Sequence, residues 1–513
     1  MTKTISALIK AHSNDANAIG APGRAWLSYG ALRTLSEEVA TKLHQLGIGR
    51  GDRVAIVLPN GPEMATAFFC VAQVATTAPL NPAYKEDEYA FYLEDLQAKA
   101  LIVAADYDGP ALPAAKAKNV NVLRLSHDET GPAGAFTLSG TPTSGTPDTS
   151  VPQEDDIALI LHTSGTTSRP KIVPLSQSNV FASADNIRTS LALSAEDRCL
   201  SVMPLFHMHG LIAAVSATLA AGGEISCAPG FNALRFFAQL EEVKPTWYTA
   251  VPTMHQAILA RAGRNSEIIA NGRLRFLRSS SASLPAPVME ELIETFSAPV
   301  IEAYGMTEAT HQMCANPLPP RAQVPGSVGV AAGPEVQIAS ELENTLLSPD
   351  STGEIVISGP NVTHGYESNP TANADNFFDA EGKRWFRTGD QGAFDGDGYL
   401  RLTGRLKEII NRGGEKISPL EVDAILLSHA EIAQVVCFAV PHAKLGEDIA
   451  AAVVLSEGSN LNEKDIQGFV AERLAKFKVP SSIVVLDEIP KGATGKIQRI
   501  GMADKLGLVE ASS

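Results

Sequence analysis

Five cysteines in 513 residues, with no Cys-x-x-Cys pair and no Cys/His grouping at metal-ligand spacing, argue against a disulfide framework or a structural zinc site. Cys70, Cys199, Cys227, Cys314 and Cys437 read as reduced core thiols. Positive charge is in deficit: 41 Lys plus Arg against 57 Asp plus Glu leave a net charge of −16. That balance argues against nucleic acid or an anionic membrane as partner and leaves room only for a local basic site. Uninterrupted apolar spans are missing too. Residues 65–84 and 203–223 lack Asp, Glu, Lys and Arg, yet Gln73, Pro79, Asn81 and Pro82 break the first, and Pro204, His207, His209 and Gly210 the second. Both read as buried helices, and no membrane anchor is expected. The first ten residues reach Lys10 too soon for the apolar core of an export signal, and the last four, Glu510-Ala-Ser-Ser513, lack a peroxisomal Ser-Lys-Leu. A cytoplasmic location is the expectation. There is no repeat of fixed period. A Walker-type P-loop is absent as well, since Gly495-Lys496 is followed by Ile497 rather than Ser or Thr.

What is present is ordinary globular usage, 44% hydrophobic and 19% charged, over a length that allows three to five domains. Apolar residues recur at helical spacing over 29–46 and stop at Gly47; 53–58 then reads as a buried strand and 63–74 as a helix. Strand-like runs at 100–104, 119–123, 157–162, 200–203, 247–251 and 274–278, mostly separated by helical patterns, predict α/β layering. The Gly/Pro/Ser/Thr-rich stretch 131–152 reads as a loop or subdomain boundary. After about Asp395 the texture changes to short strands, a Gly-rich turn at Arg412-Gly-Gly414, a helix near 463–476 and a strand near 483–487. That change predicts a smaller α+β domain, with 404–408 as the hinge candidate.

The strongest single signal is Leu161-His-Thr-Ser-Gly-Thr-Thr-Ser-Arg-Pro-Lys-Ile-Val-Pro174, directly after an apolar strand. Backbone N–H groups, small hydroxyls and a nearby cation in such a loop can cradle phosphate oxygens. On composition alone the same residues make an ordinary Ser/Thr turn.

With four further segments, the chain resembles the adenylate-forming superfamily of acyl-CoA synthetases, luciferases and nonribosomal adenylation domains over nearly its whole length. Those segments are Glu302-Ala-Tyr-Gly-Met-Thr-Glu308, Phe386-Arg-Thr-Gly-Asp390, Gly404-Arg-Leu-Lys407 and Pro490-Lys-Gly-Ala-Thr-Gly-Lys496. The resemblance implies an α/β fold with a large multi-subdomain N-terminal domain, residues 1–403, and a small mobile C-terminal α+β lid, residues 404–513. It implies ATP or AMP contacts at Thr163, Ser164, Gly165, Thr166, Thr167, Lys171, Ser281, Glu302, Ala303, Tyr304, Thr307, Asp390 and Arg405. Two departures stand in the phosphate loop, Ser168 and Ile172, where the family has glycine.

The implied roles suit the chemistry. Tyr304 would stack on adenine, Asp390 would accept from the ribose hydroxyls, and Glu308 would hold Mg²⁺ on ATP. Lys496 would offset the repulsion between a carboxylate and the α-phosphate, with Thr167 and His207 also at the reacting centre. Taken without the resemblance, Tyr304 is core, Asp390 a turn residue, Glu308 a helix cap and Lys496 a solvated surface lysine. The small domain would swing about Lys407 to present Gly413, Gly414 and Glu415 to CoA, although a Gly pair is equally a plain turn.

Segments bordering the acid pocket are polar here: His207, 248–251, 278–283 and the residues after Glu308. Ser280, Ser281, His207 and His311 are the expected acid contacts; alone His311 reads as a structural histidine, and together with the serine run 279–283 it favours a very small, doubly charged acid. Six stretches, 161–170, 204–211, 246–256, 278–284, 302–311 and 409–419, resemble the oxalyl-CoA synthetases of the family, and that resemblance names oxalate. The expectation is an ATP-, CoA- and Mg²⁺-dependent acid–thiol ligase making oxalyl-CoA, AMP and diphosphate. A ligase for malonate or a 4-coumarate-like acid, and a non-catalytic nucleotide-binding relative, remain alternatives; oligomeric state is left open.

Overall fold

The computed structural model describes residues 2–163, 170–491 and 497–508, among which the chain forms four sheets. The helical spacing of 29–46 becomes the helix Tyr29–Gln45, opened by Ser28, whose hydroxyl accepts from the Ala31 amide. It ends before Gly47, whose φ of +80° a side chain would strain.

Parallel strands covered on both faces read as continuous apolar runs, which is why 53–58 and 100–104 were legible. Strands Arg53–Val57 and Ala100–Ala104 pair in parallel within a seven-stranded sheet that also holds Ile157–Thr163 and, antiparallel to it, Lys171–Ser176. A nine-stranded sheet carries Arg198–Ser201, Trp247–Ala250, Phe276–Ser280, Val300–Met306 and His311–Ala315. One core joins these two sheets and a third of five strands, with Val54, Ile225 and Ile355 all buried in it. The apolar stretch near residue 65 is the helix Pro62–Val71, buried on every side.

Three differences from the sequence reading have physical causes. Within 131–152 an edge strand, Thr137–Gly140, pairs with Asn121–Ser126; only Leu138 of its four residues is buried, so composition hid a strand held by backbone bonds. The strand expected at 274–278 runs instead from Phe276 to Ser280, because the polar Ser279 and Ser280 keep pairing with Glu302 and Ala303. The second charge-free stretch begins as a π-helix, His209–Ser216, before the helix Ala217–Ala221. Such widened turns are frequent at functional sites.

The third sheet ends with Leu400–Arg405 on the long strand Lys383–Phe394, and the next strand, Ile410–Arg412, belongs to a C-terminal sheet. That sheet has its own core, including Ile417, Val422, Ile449, Ile466 and Val470. The chain is thus a large N-terminal α/β domain followed by a C-terminal domain. Lys416 Nζ, from the latter, lies 2.7 Å from Glu341 Oε2 of the third sheet's connections. Among the described residues no helix is long and apolar enough to cross a membrane.

Candidate active site

Antiparallel pairing of Ile157–Thr163 with Lys171–Ser176 sets Thr163 directly opposite Lys171. Ser164, Gly165, Thr166, Thr167 and Lys496 lie outside the described residues. Ile172, one of the two departures from the family pattern, is buried in its strand. The Lys171 ammonium stands 4.3 Å from the centre of the Tyr366 ring, and the Tyr366 hydroxyl donates to Glu308 Oε1 at 2.7 Å. Glu308 sits with Thr307 in a short 3₁₀ turn, its carbonyl accepting from the Thr363 amide at 2.7 Å. Burial raises the Glu308 carboxyl above its ordinary range, against the pull of the Tyr366 bond, Lys171 and Arg405. Burial likewise lowers Lys171, with Glu308 opposing and Lys407 adding to the fall. Lys171, Glu308, Arg405 and Lys407 therefore form one electrostatic neighbourhood in a protein of net charge −16.

Beside it, the long strand Lys383–Phe394 and its neighbour place Asp390 across from Arg405. Arg405 Nε donates to Asp390 Oδ1 at 2.9 Å and the Tyr304 hydroxyl to Oδ2 at 2.5 Å. A carboxylate has about four lone-pair sites, so two remain for a diol. Tyr304 is buried, and its strand pairs with His311–Ala315 through a register shift at Gly305. A Cβ on Gly305 would stand 1.7 Å from the His311 carbonyl oxygen, so only glycine lets the two backbones approach this closely.

On the acid side, His311 is buried with a φ of +106°, and Ser281 has a φ of +74°. Non-glycine residues held there cost about 1–3 kcal/mol each and cluster at functional sites. The His311 ring meets His209 edge-on at 5.4 Å, and His209 Nδ1 lies 3.0 Å from Ser281 Oγ. Ser280 is also buried, but its hydroxyl donates to the Ala303 carbonyl at 2.8 Å, so it meets any acid only as an acceptor. His207 precedes the π-helix with its ring on Phe206, 4.4 Å between centres.

Glu302 is turned away from solvent. Its Oε1 accepts from the Leu284 amide at 2.8 Å, fixing the turn after Ser281, and Oε2 has no partner among the described residues. Burial pushes its carboxyl from 4.5 up to about 8. The native state therefore keeps a proton that the unfolded chain loses near pH 4.5. This contribution to stability is full below pH 4.5 and is lost as pH rises to about 8, by roughly 1.4 kcal/mol per pH unit at most. Thermal midpoints recorded from pH 5 to 8.5 will fall less steeply for Glu302→Gln than for the unsubstituted chain; parallel curves would refute a neutral Glu302.

The Gly413–Gly414 pair, with φ of +61° and +97°, turns the hairpin between Ile410–Arg412 and Glu415–Ile417. The Gly413 amide donates to the Leu445 carbonyl at 2.8 Å, and exposed Glu415 opens the second strand.

Sequence reasoning missed two residues here, Tyr366 and His209, and gave no individual role to two others, Thr249 and Arg278, inside segments it placed at the acid pocket. Tyr366 carries no local signal. His209 is two positions from His207 and on the same segment. Thr249 is buried within an apolar strand. Arg278, a lone cation in Phe276-Leu-Arg-Ser-Ser280, was detectable, because an apolar strand does not bury a guanidinium without a reason.

Comparison with known proteins matches residues 8–367 to the AMP-binding enzyme family and residues 421–496 to the AMP-binding enzyme C-terminal domain. An oxalate–CoA ligase of Arabidopsis thaliana is 44% identical over 94% of this chain and 94% of its own. An oxalate–CoA ligase of Saccharomyces cerevisiae is 41% identical over 89% of this chain and 87% of its own. The crystal structure of ATP-bound MatB from Rhodopseudomonas palustris superposes with a TM-score of 0.87 at 27% identity, covering 98% of this chain and 99% of that one. With both modules in order over most of its length, the chain belongs to the AMP-binding enzyme family, as an ATP-dependent acid–CoA ligase.

Proposed function

We propose that the acid is oxalate, and that the protein converts oxalate, ATP and CoA to oxalyl-CoA, AMP and diphosphate. An oxalate oxygen attacks the α-phosphorus and diphosphate leaves; the CoA sulfur then attacks the acyl carbon and AMP leaves. The observation that carries this reading is the acid side of the site. Ser281, His209 and His311 stand in contact there, a polar lining that suits two carbons and two carboxylates and repels an alkyl or aryl tail. The two oxalate–CoA ligases above support it.

In this reading residues 1–403 bind acid and nucleotide, and residues 404–513 form the lid that turns about Lys407. Thr163, Ser164, Gly165, Thr166, Thr167 and Lys171 hold the phosphates. Glu302, Ala303, Tyr304 and Thr307 border the adenine, and Asp390 with Arg405 takes the ribose. His207, Ser281 and His311 meet the acid, Ser280 borders it with its proton committed to the Ala303 carbonyl, and Gly413, Gly414 and Glu415 meet CoA. Glu308 suits Mg²⁺: it is a carboxylate oriented by Tyr366, and among the described residues no cluster of three His, Cys, Asp or Glu side chains could hold an ion alone. A cation borne mainly by ATP phosphates and water needs only such a ligand and would neutralise the departing diphosphate. The reading includes a cytosolic setting, supported by five free, buried thiols.

CoA-dependent AMP formation from Mg²⁺-ATP, measured with oxalate, malonate, acetate, octanoate and 4-coumarate at matched concentration, tests it. Oxalate is expected to lead the panel by more than about tenfold, the ratio worth 1.4 kcal/mol of discrimination. Preference for another acid refutes the substrate and keeps the ligase.

A further inference from the structure

Arg278 lies entirely inside the protein, on the strand that ends in the acid-pocket serines. None of its polar partners among the described residues is a carboxylate. Nη1 is 3.4 Å from His209 Nε2 and 3.5 Å from Thr249 Oγ1, and Nη2 donates to Gln312 Oε1 at 3.2 Å. Nε is buried with no partner, and no ion pair to Arg278 occurs among the described residues. A buried guanidinium without a carboxylate is costly, and a protein that retains one leaves an uncancelled positive charge in its interior. Burial lowers it only to about 9, so it stays charged at neutral pH.

The direction in which it acts follows from donor and acceptor capacity. A guanidinium can only donate. With the Nη1 donor 3.4 Å away, His209 Nε2 is disfavoured from carrying a proton, and Thr249 Oγ1, 3.5 Å from Nη1 and 2.6 Å from Nε2, can accept from the guanidinium and donate to the Nε2 lone pair. The imidazole proton then sits on Nδ1, which donates to Ser281 Oγ at 3.0 Å. With its oxygen accepting from His209, the Ser281 hydroxyl has its own proton to give.

We infer that Arg278 is a positioning and specificity-determining residue: through His209 it makes Ser281 a donor to the acid's carboxylate, and it supplies the uncancelled positive charge that favours a dianion. The inference rests on the proposed oxalate reading for the identity of the acid, but not for the tautomer. Arg278 touches no reacting atom; its effect reaches the substrate through His209, Thr249 and Ser281.

Two readouts on the full-length enzyme test this. The first is the ¹⁵N spectrum of histidine-labelled protein, with His209→Gln assigning the signal. His209 is expected as the Nδ1–H tautomer in the unsubstituted enzyme and in Arg278→Lys, and as a mixture or the Nε2–H form in Arg278→Gln. The second is steady-state kinetics. Arg278→Gln should raise KM for oxalate about 10- to 100-fold, the size of a lost charged hydrogen bond, with KM for ATP moved less than about threefold. Arg278→Lys should recover most of that loss. Should Arg278→Gln not fold, Thr249→Val removes the hydroxyl shared by both partners and is expected to raise KM for oxalate in the same direction. An Nε2–H tautomer in the unsubstituted enzyme overturns the inference. So does a folded Arg278→Gln enzyme whose KM for oxalate stays within twofold. Silence toward oxalate with the expected tautomer refutes the substrate reading and leaves the orientation of Ser281 standing.

Discussion

Lys496→Ala will slow formation of the acyl-adenylate by about 10²–10³-fold, the usual cost of removing one preorganised charge at a developing anion. Two anions meet in that step, the acid's carboxylate and the α-phosphate of ATP, and in the role we propose for Lys496 its ammonium would lower their repulsion and aim the attacking oxygen. The second step has no such meeting. Transfer of a supplied acyl-adenylate to CoA should therefore stay within about tenfold of the unsubstituted rate, since only interactions specific to the first transition state are lost. ATP–diphosphate exchange reads the first step and thioester formation from the adenylate reads the second. Equal losses in both would make Lys496 a structural residue of the C-terminal domain, and no loss in either would make the chain a non-catalytic relative.

Asp390→Asn carries the second-largest effect. Asp390 accepts from the Tyr304 hydroxyl at 2.5 Å and from Arg405 Nε at 2.9 Å through different oxygens. An asparagine amide offers one oxygen and one NH₂, so one of those two donors would face another donor. Arg405 is half exposed and can turn to water, whereas Tyr304 is buried and cannot. The variant thus keeps its fold by presenting oxygen to Tyr304, and it loses the charged acceptor that we propose for the ribose. We expect kcat/KM for ATP to fall about 30- to 100-fold, the worth of a charged hydrogen bond and the desolvation it no longer repays. The thermal midpoint should drop by only a few degrees. Asp390→Ala, which leaves both donors unmatched, should cost more on both measures. Unchanged ATP kinetics in Asp390→Asn would remove Asp390 from the nucleotide site.

The layered α/β fold was legible because buried parallel strands announce themselves as apolar runs and the helices between them as periodicity. The edge strand Thr137–Gly140 was not, because a strand with one buried side chain carries no pattern. The proposed nucleotide side was read from contiguous motifs, Tyr304 and Glu308 in one segment and Asp390 and Arg405 in two more, and the fold brings these four residues together. Tyr366 escaped because its role depends on a contact with Glu308, 58 positions away in sequence. On the proposed acid side, Ser281 and His311 were singled out because the segments that carry them are unusually polar. What connects them, Arg278 to Thr249 to His209, comes from two strands and a π-helix that meet only in the folded chain. Short polar contacts between distant segments leave no spacing in the sequence, so that part of the site needed coordinates.

The five cysteines give the molecule an unplanned convenience. All are buried, and burial drives Cys70 and Cys227 up to about 12 and the other three upward as well, so none presents a thiolate to solvent. A disulfide dye added to aliquots of the native reaction consequently reads only the thiol of CoA, and the thiol lost from one aliquot to the next counts turnover; the dye stays out of the reaction itself because it would consume CoA. Once the substrates are spent, the same dye becomes a stopwatch, because five further equivalents react only as the native chain opens.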